Sequence, residues 1–140
     1  MNVLDCFSGV GGGILASYLL GHNVVCAIEE NRFCQQLLVS LQDSRAHYPF
    51  SIWSDIRTFK GQPWVGCINL VQGGFPCQNI SSAGDRSGLD GKESSLFWEL
   101  WRVFCECQAE YLFIENSPML RFRGLDQILE VFAEERLDAE

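Results

Sequence analysis

The sequence is short of positive charge. Ten lysines and arginines stand against 18 aspartates and glutamates in 140 residues, which leaves a net charge of −8. Half of this excess lies in the last eleven residues, where Arg136 is outnumbered by Glu130, Glu134, Glu135, Asp138 and Glu140. Because surfaces that bind nucleic acid are normally basic, this balance by itself argues against a polyanionic partner.

Long apolar runs and paired cysteines are also missing. No apolar stretch approaches the ~18 residues that span a bilayer, and no basic segment precedes a hydrophobic one at the N-terminus, so we expect neither a membrane span nor a secretory signal. The seven cysteines include no C-x-x-C pair of a zinc site or redox dithiol. We therefore expect no metal site, and reduced thiols in a cytoplasm.

Short apolar runs alternate with segments of helical period, and no repeat, low-complexity tract or linker separates them. Hydrophobic residues at 47% and charged residues at 20% are typical of a packed globular chain. The predicted strands are residues 2–7, 23–29, 50–55, 67–73 and 111–116. The predicted helices are residues 14–20, 31–42, 94–107 and 124–135. This alternation predicts one α/β domain over residues 1–140, with a mainly parallel sheet that binds ligands at the carboxyl ends of its strands.

Details of two helices follow from single residues. Gly21 is placed to end the first helix and Asn31 to cap the second. In the second helix four apolar residues are predicted to share one face: Phe33, Leu37, Leu38 and Leu41.

Polar or glycine-rich residues follow four of the predicted strands. The glycines of "SGVGGG" permit a tight turn and close approach of the backbone to a ligand, although an ordinary βα turn has the same composition. Glu29, about 20 residues further on, can accept hydrogen bonds from ribose hydroxyls or can be a solvated carboxylate before a helix. Asp55 can accept from an adenine amino group or can cap a turn. Together these residues favour a nucleoside ligand.

Cys77 differs from the other cysteines in its surroundings. A buried structural thiol is the usual fate of cysteine, and three residues inside predicted strands fit it: Cys6, Cys26 and Cys67. Cys77 instead follows "GGFP", where the chain has left its strand, so we expect it to face the cleft and to be available as a nucleophile. At the end of the fifth strand, Glu115 and Asn116 add a carboxyl and an amide to the same rim, unless they cap a helix before Pro118.

Taken together, these segments resemble the DNA (cytosine-5) methyltransferases of the bacterial and phage type. "LDCFSGVGG" resembles the first motif of that family, "AIEEN" the second, "SDIR" the third, "GGFPCQNIS" the catalytic fourth, "SSLFWEL" the fifth and "YLFIENSP" the sixth, in the order and spacing of the family. The resemblance implies a Rossmann-like methyltransferase fold, incomplete at its C-terminal side, and a restriction-modification role in the cytoplasm of a bacterial or phage-infected cell.

The reaction implied by the resemblance is methyl transfer from S-adenosylmethionine to C5 of cytosine in DNA, which leaves S-adenosylhomocysteine. Cys77 is the implied nucleophile on C6 of a flipped-out cytosine, and Glu115 binds the Watson–Crick edge, with Pro76 and Asn116 beside them. The implied cofactor-binding residues are Phe7, Ser8, Gly9, Val10 and Gly12 around the pocket, Glu29 on the ribose, Glu30, Asp55 and Ile56 on the adenine, and Gly74, Pro76 and Leu96 on the remainder.

The sequence departs from the family in three respects. Ser117 stands where the sixth motif usually has valine, and Asn69 stands where aspartate is common. We expect the chain to lack the basic strand motif, the target-recognition domain and the final helix, which in the family follow the position of Glu140 and carry most base contacts and most of the positive charge. We therefore expect the chain alone to be inactive or incomplete, to reach DNA through the missing parts, and to associate with itself or with a companion chain that covers the edge near strand five.

Two further interpretations stay open. The chain can be a non-catalytic module that keeps the fold and acts through protein contacts, or one half of a split enzyme. Retention of Cys77 and Glu115 favours descent from an active enzyme. Methylation of RNA by related enzymes is another possibility, but "GFPCQNIS" resembles the DNA branch better.

Overall fold

The computed structural model describes residues 1–43, 49–76, 95–135 and 138, and the predictions made for residues 77–94 lie outside this part. Its strands are β1 (Asn2–Cys6), β2 (Asn23–Ile28), β3 (Ser51–Trp53), β4 (Leu70–Gly73) and β5 (Tyr111–Ile114). They form one sheet in the order β3-β2-β1-β4-β5, and each pair of neighbours is parallel. The order turns back at β1, so the carboxyl ends of β1 and β4 flank the position where ligands bind in open α/β sheets.

The helices are α1 (Gly12–Leu19), α2 (Arg32–Asp43), α3 (Ser95–Cys107), α4 (Leu120–Arg123) and α5 (Leu125–Glu134). Two short 3-10 helices, Ile56–Thr58 and Gln62–Trp64, lie between β3 and β4. The predicted α/β class is confirmed, and each predicted strand and helix has a counterpart whose ends differ by a few residues. Helix α4 and both 3-10 helices were not predicted from the sequence.

Both predicted helix boundaries have the expected geometry. The side-chain oxygen of Asn31 accepts hydrogen bonds from the backbone N–H groups of Phe33 (2.9 Å) and Cys34 (3.3 Å), which satisfies free donors of the first turn of α2. Gly21 follows α1 with φ of 73°, a conformation that favours glycine, and donates its N–H to the carbonyl of Tyr18.

The core is built on the central strands, which are buried as expected for a parallel sheet. One cluster joins α1 and α2 to the sheet through Val3, Ile14, Val24, Ala27, Leu38, Phe50 and Leu70. Leu100 and Val103 of α3 are also fully buried. The core therefore holds the carboxyl ends of the strands in fixed register.

Two residues differ from their predictions: Cys67 was predicted to be a buried thiol inside a strand, and Phe33 was predicted to share one face of a helix with Leu38. Cys67 is exposed because β4 begins only at Leu70, and Cys67 lies in the turn after the second 3-10 helix. Phe33 is 66% exposed, although Leu38 is fully buried. At 3.6 residues per turn these two side chains lie about 140° apart around α2, so they do not share one face.

The chain divides into two compact units, each formed by two segments. The first comprises Met1–Phe75 and Glu99–Glu115 and contains the sheet. The second comprises Pro76–Trp98 and Asn116–Glu140, and its described part includes α4 and α5, where Ile128 is buried. Among the described residues, no helix combines the length and the apolar composition needed to cross a membrane.

Candidate functional site

The glycine loop between β1 and α1 is a tight left-handed turn. Phe7, Gly9 and Gly11 all have positive φ, at 57°, 52° and 93°. The conformation is permitted for glycine, but at Phe7 it costs about 1–3 kcal/mol, and such outliers cluster at functional sites. The loop is held by hydrogen bonds from the N–H of Ser8 to the Ile28 carbonyl (3.1 Å) and from the N–H of Gly11 to the Ser8 carbonyl (2.9 Å). The turn thus brings backbone to the carboxyl edge of the sheet.

A cavity of about 440 Å³ opens beside this loop, within the first unit. Its lining comes from the carboxyl ends of β1, β4 and β5 and from the first turns of α1. The lining residues are Asp5, Cys6, Phe7, Ser8, Val10, Gly12, Gly13, Ala16, Gln72, Gly73, Gly74, Phe113 and Glu115. A volume of this size is within the range of sites for small molecules and cofactors.

A buried polar cluster forms part of the wall. Asp5 and Gln72 face each other across the β1–β4 pairing, and the side-chain amide of Gln72 donates to Oδ1 of Asp5 at 2.5 Å. Ser17 of α1 donates to Oε1 of Gln72 at 3.2 Å. Gly13 lets α1 approach this cluster, because a Cβ there would lie 2.5 Å from Asp5 Oδ1. Neither Asp5 nor Gln72 was predicted from the sequence to be a site residue.

Asp5 is a carboxyl group in an environment that disfavours charge. It is 3% exposed, and its Oδ2 is buried with no hydrogen-bond partner. Burial raises the pKa of Asp5 above its ordinary value of 3.8, and the hydrogen bond from Gln72 opposes that rise only in part. Burial therefore favours the neutral, protonated form of Asp5, which needs no compensating charge.

Glu29 connects the end of β2 to the glycine loop. Its Oε2 accepts a hydrogen bond from the N–H of Gly9 at 2.7 Å, and its Oε1 accepts one from the N–H of Asn31, also at 2.7 Å. The carboxylate is therefore oriented by two backbone donors. Each oxygen retains a further lone pair with which it can accept a hydroxyl of a ligand.

Glu30 and Asp55 are joined by an arginine that the sequence analysis did not single out. Arg57 donates from Nη2 to Oε1 of Glu30 at 3.0 Å and from Nε to Oδ1 of Asp55 at 2.8 Å. Asp55 also accepts the N–H of Arg57 and so caps the first 3-10 helix. The hydrogen bond from Arg57 lowers the pKa of Asp55, which keeps it ionised.

Glu115 lies at the end of β5, next to the end of β4. Its N–H donates to the carbonyl of Gly73 at 3.3 Å, which continues the strand pairing. Its side chain is exposed at the cavity and lies close to Gly74, where a Cβ would come within 2.8 Å of Oε2. The absence of a side chain at Gly74 is therefore what leaves room for this carboxyl group.

The structure brings together about half of the residues that the sequence analysis selected. Those that line the cavity are Phe7, Ser8, Val10, Gly12, Gly74 and Glu115. Gly9 and Glu29 are bonded to each other beside it, while Glu30, Asp55 and Ile56 lie at the ends of β2 and β3. Pro76, Leu96 and Asn116 belong to the second unit. Cys77 is outside the described residues.

Three thiols of the first unit are expected to be unreactive. Cys6, Cys26 and Cys107 are buried, and burial raises the pKa of Cys26 to about 12 and that of Cys107 to about 11. Burial also raises the pKa of Cys6, well above its ordinary value. Because the thiolate is the nucleophilic form, these residues are structural, as predicted for Cys6 and Cys26.

Residues 1–138 match the family model of the C-5 cytosine-specific DNA methylases. The type II methyltransferase M.CviJI of Paramecium bursaria Chlorella virus IL3A is 32% identical over 117 residues, which cover 84% of this chain and 30% of that protein. The type II methyltransferase M.NgoMIV of Neisseria gonorrhoeae is 34% identical over 114 residues, which cover 81% of this chain and 34% of that protein.

The fold also matches solved structures. A protein described as a DNA modification methyltransferase encoded within an Escherichia coli prophage superposes with a TM-score of 0.69 at 22% identity, over 95% of this chain and 37% of that one. At this level of identity the likeness concerns the fold. The chain spans about a third of the length of the two curated relatives named above.

Proposed function

This chain belongs to the family of C-5 cytosine-specific DNA methylases, and on that premise we propose that its cavity binds S-adenosylmethionine for methyl transfer to C5 of cytosine in DNA. The predicted family and the predicted Rossmann-like methyltransferase fold are confirmed, and the family is one of enzymes. The observation that carries the proposal is the convergence of the glycine loop and Glu115 on one cavity at the carboxyl ends of three neighbouring strands.

The residues around the cavity fit the cofactor. S-adenosylmethionine supplies an electrophilic methyl group on a sulfonium ion, flanked by an amino acid and a nucleoside. The glycine loop offers backbone close to the amino-acid part, and at Gly12 the space of a Cβ is open. Glu29, oriented by two backbone N–H groups, accepts the ribose hydroxyls. Asp55 is kept as an acceptor for the adenine amino group by the arginine beside it.

The protein's part in the chemistry is to make C5 of cytosine nucleophilic. The Cys77 thiolate adds to C6, so that a C6–S bond forms and the electron pair of the 5,6 double bond moves to C5. Glu115 donates a proton or hydrogen bond to N3 and so stabilises the charge that develops on the ring. Once C5 has taken the methyl group and S-adenosylhomocysteine is left as the thioether product, the C5 proton passes to a base. The 5,6 double bond then re-forms as the C6–S bond breaks and releases the thiolate. In the sequence, Pro76 directly precedes Cys77 and Asn116 directly follows Glu115.

The test separates the thiol from the cofactor site. We expect wild-type protein and Cys77→Ala to bind S-adenosylhomocysteine equally in isothermal titration. We expect the wild type, but not Cys77→Ala, to transfer tritium from labelled S-adenosylmethionine to cytosine-containing duplex DNA, assayed with and without candidate companion chains. Cys67→Ala is the matched control, because Cys67 is exposed in the turn before β4. Transfer that survives in Cys77→Ala would contradict the assigned nucleophile.

A second candidate function is that of a module that acts through a companion chain or a second copy of itself. The exposed aromatic residues of β5, an edge strand of the described sheet, favour it: Tyr111 is 50% and Phe113 is 60% exposed, on the same face of the strand. Cofactor binding without methyl transfer in any pairing, together with a stable complex in size-exclusion chromatography with light scattering, would favour the module over the enzyme.

A further inference from the structure

The segment of residues 55–61, between β3 and the second 3-10 helix, is held against α3 by two side chains of that helix. Arg102 donates from Nη2 to the carbonyl of Ile56 at 2.8 Å and from Nη1 to the carbonyl of Phe59 at 3.1 Å. Oε2 of Glu106 accepts the N–H of Gly61 at 2.7 Å. Two helical side chains thus bond three backbone groups of a segment that forms only one turn of 3-10 helix of its own.

Arg102 is itself fixed. Its Nε donates to Oε2 of Glu99 at 2.9 Å and its Nη1 to Oε1 of Glu106 at 2.8 Å, at i,i+3 and i,i+4 spacing on one face of α3. Its side chain is 30% exposed. A guanidinium group has donors at fixed angles in one plane, so with both carboxylates in place its remaining N–H groups point to the two carbonyls.

The backbone of the segment also approaches α3 closely. A Cβ at Gly61 would lie 2.6 Å from Cβ of Glu106 and 2.9 Å from the backbone nitrogen of Cys107. Phe59 is 1% exposed, so the carbonyl that Arg102 binds belongs to a residue anchored in the core. The contact between the segment and α3 therefore combines hydrogen bonds, ion pairs and close packing.

This arrangement bears on the cofactor site because the segment begins with Asp55 and Ile56. We propose that Arg102 is a positioning residue for the adenine end of the cofactor site: by holding the Ile56 and Phe59 carbonyls, it fixes the orientation of the Asp55 carboxylate toward the adenine amino group. Arg102 does not contact the ligand. The inference rests on the proposed binding of S-adenosylmethionine and assigns a residue to its recognition.

The test compares two ligands in three variants. One ligand is S-adenosylhomocysteine, and the other is its analogue in which oxygen replaces the adenine 6-amino group. A hydrogen bond to a charged group is worth about 1.5–3 kcal/mol, so we expect the wild type to prefer the adenosyl ligand by about tenfold or more. In Arg102→Met we expect this preference to fall to about threefold or less, chiefly through weaker binding of the adenosyl ligand. Arg102→Lys is expected to lie between, because an ammonium group can still bond one carbonyl.

Controls separate positioning from a loss of stability. Arg121→Met removes an exposed arginine of α4 in the second unit and is expected to keep the wild-type preference. If Arg102→Met does not fold, Arg102→Lys carries the test, with a preference lowered by about twofold as the expected result. An unchanged preference in the folded variants, or equal weakening of both ligands, overturns the role of Arg102 and leaves the proposed function intact. Failure of the wild type to bind either ligand overturns both.

Discussion

At the scale of single residues, Asp5 makes stability depend on pH in a direction opposite to that of most carboxylates. Its pKa in the folded state is raised above 3.8 by burial, so the folded protein holds this proton at pH values where the unfolded chain has released it. Between 3.8 and the raised pKa the folded state binds more protons, and the free energy of unfolding therefore falls as pH rises. Below 3.8 both states are protonated and the contribution is constant.

We expect Asp5→Asn to remove this dependence, because the amide is neutral at every pH and keeps an oxygen to accept from Gln72. The measurement is urea unfolding of wild type and variant from about pH 4 to pH 8. The stability of the wild type relative to Asp5→Asn should decline over this range. Asp126→Asn, an exposed position in the first turn of α5, serves as the control. A constant difference between wild type and Asp5→Asn would show that Asp5 is ionised in the folded state.

At the scale of elements, α1 packs closely onto the sheet at Gly13, where the absence of a side chain allows the approach. A Cβ at Gly13 would lie 2.5 Å from Asp5 Oδ1 and 3.0 Å from Gln72 Nε2, whereas a Cβ at Gly12 would meet nothing within 4 Å. Both glycines are in the first turn of α1, and neither has a positive φ. The two positions therefore differ mainly in what lies beneath them.

We expect Gly13→Ala to lower the free energy of unfolding by about 1–3 kcal/mol, because the methyl group displaces α1 or the Asp5–Gln72 pair. Gly12→Ala should be neutral or stabilising by up to about 1 kcal/mol, since alanine favours the helix and meets no obstacle. Denaturant titration of the two variants measures both values. Equal effects at the two positions would show that the helix can shift without cost, and that the close approach is not a constraint.

At the scale of the whole molecule, charge separates cofactor binding from DNA binding. The chain carries a net charge of −8, and a duplex is a dense polyanion. Binding of a neutral or zwitterionic nucleoside ligand does not suffer from this charge, but approach of a duplex does.

We therefore expect the 140-residue chain to bind S-adenosylhomocysteine and to bind duplex DNA more weakly than about 10⁻⁴ M at physiological salt, the weak end of ordinary non-specific binding. Fluorescence anisotropy of a labelled duplex measures this, with the chain alone and with a companion chain added. Micromolar binding by the chain alone, with a steep dependence on salt, would show that the chain has a basic patch strong enough to outweigh its net charge.

The sequence alone was sufficient for the features that depend on neighbours along the chain. The period of apolar residues predicted each strand and most helices, and the roles of Asn31 as a cap and of Gly21 as a helix end followed from local hydrogen bonding and backbone conformation. The motif order also identified the family, since it is a property of the sequence itself. The glycine loop and Glu115 were selected in this way and lie at one cavity.

Tertiary structure alone decided the contacts between residues far apart in the chain. Asp5 meets Gln72, 67 positions away, only because β1 pairs with β4, and Arg102 reaches Ile56, 46 positions away, only because α3 packs beside the segment after β3. The apolar run before β4 also predicted a buried Cys67, although Cys67 is exposed. The reason is that a repeat along one element tells which residues share a face, whereas burial, pKa and positioning depend on which element covers that face.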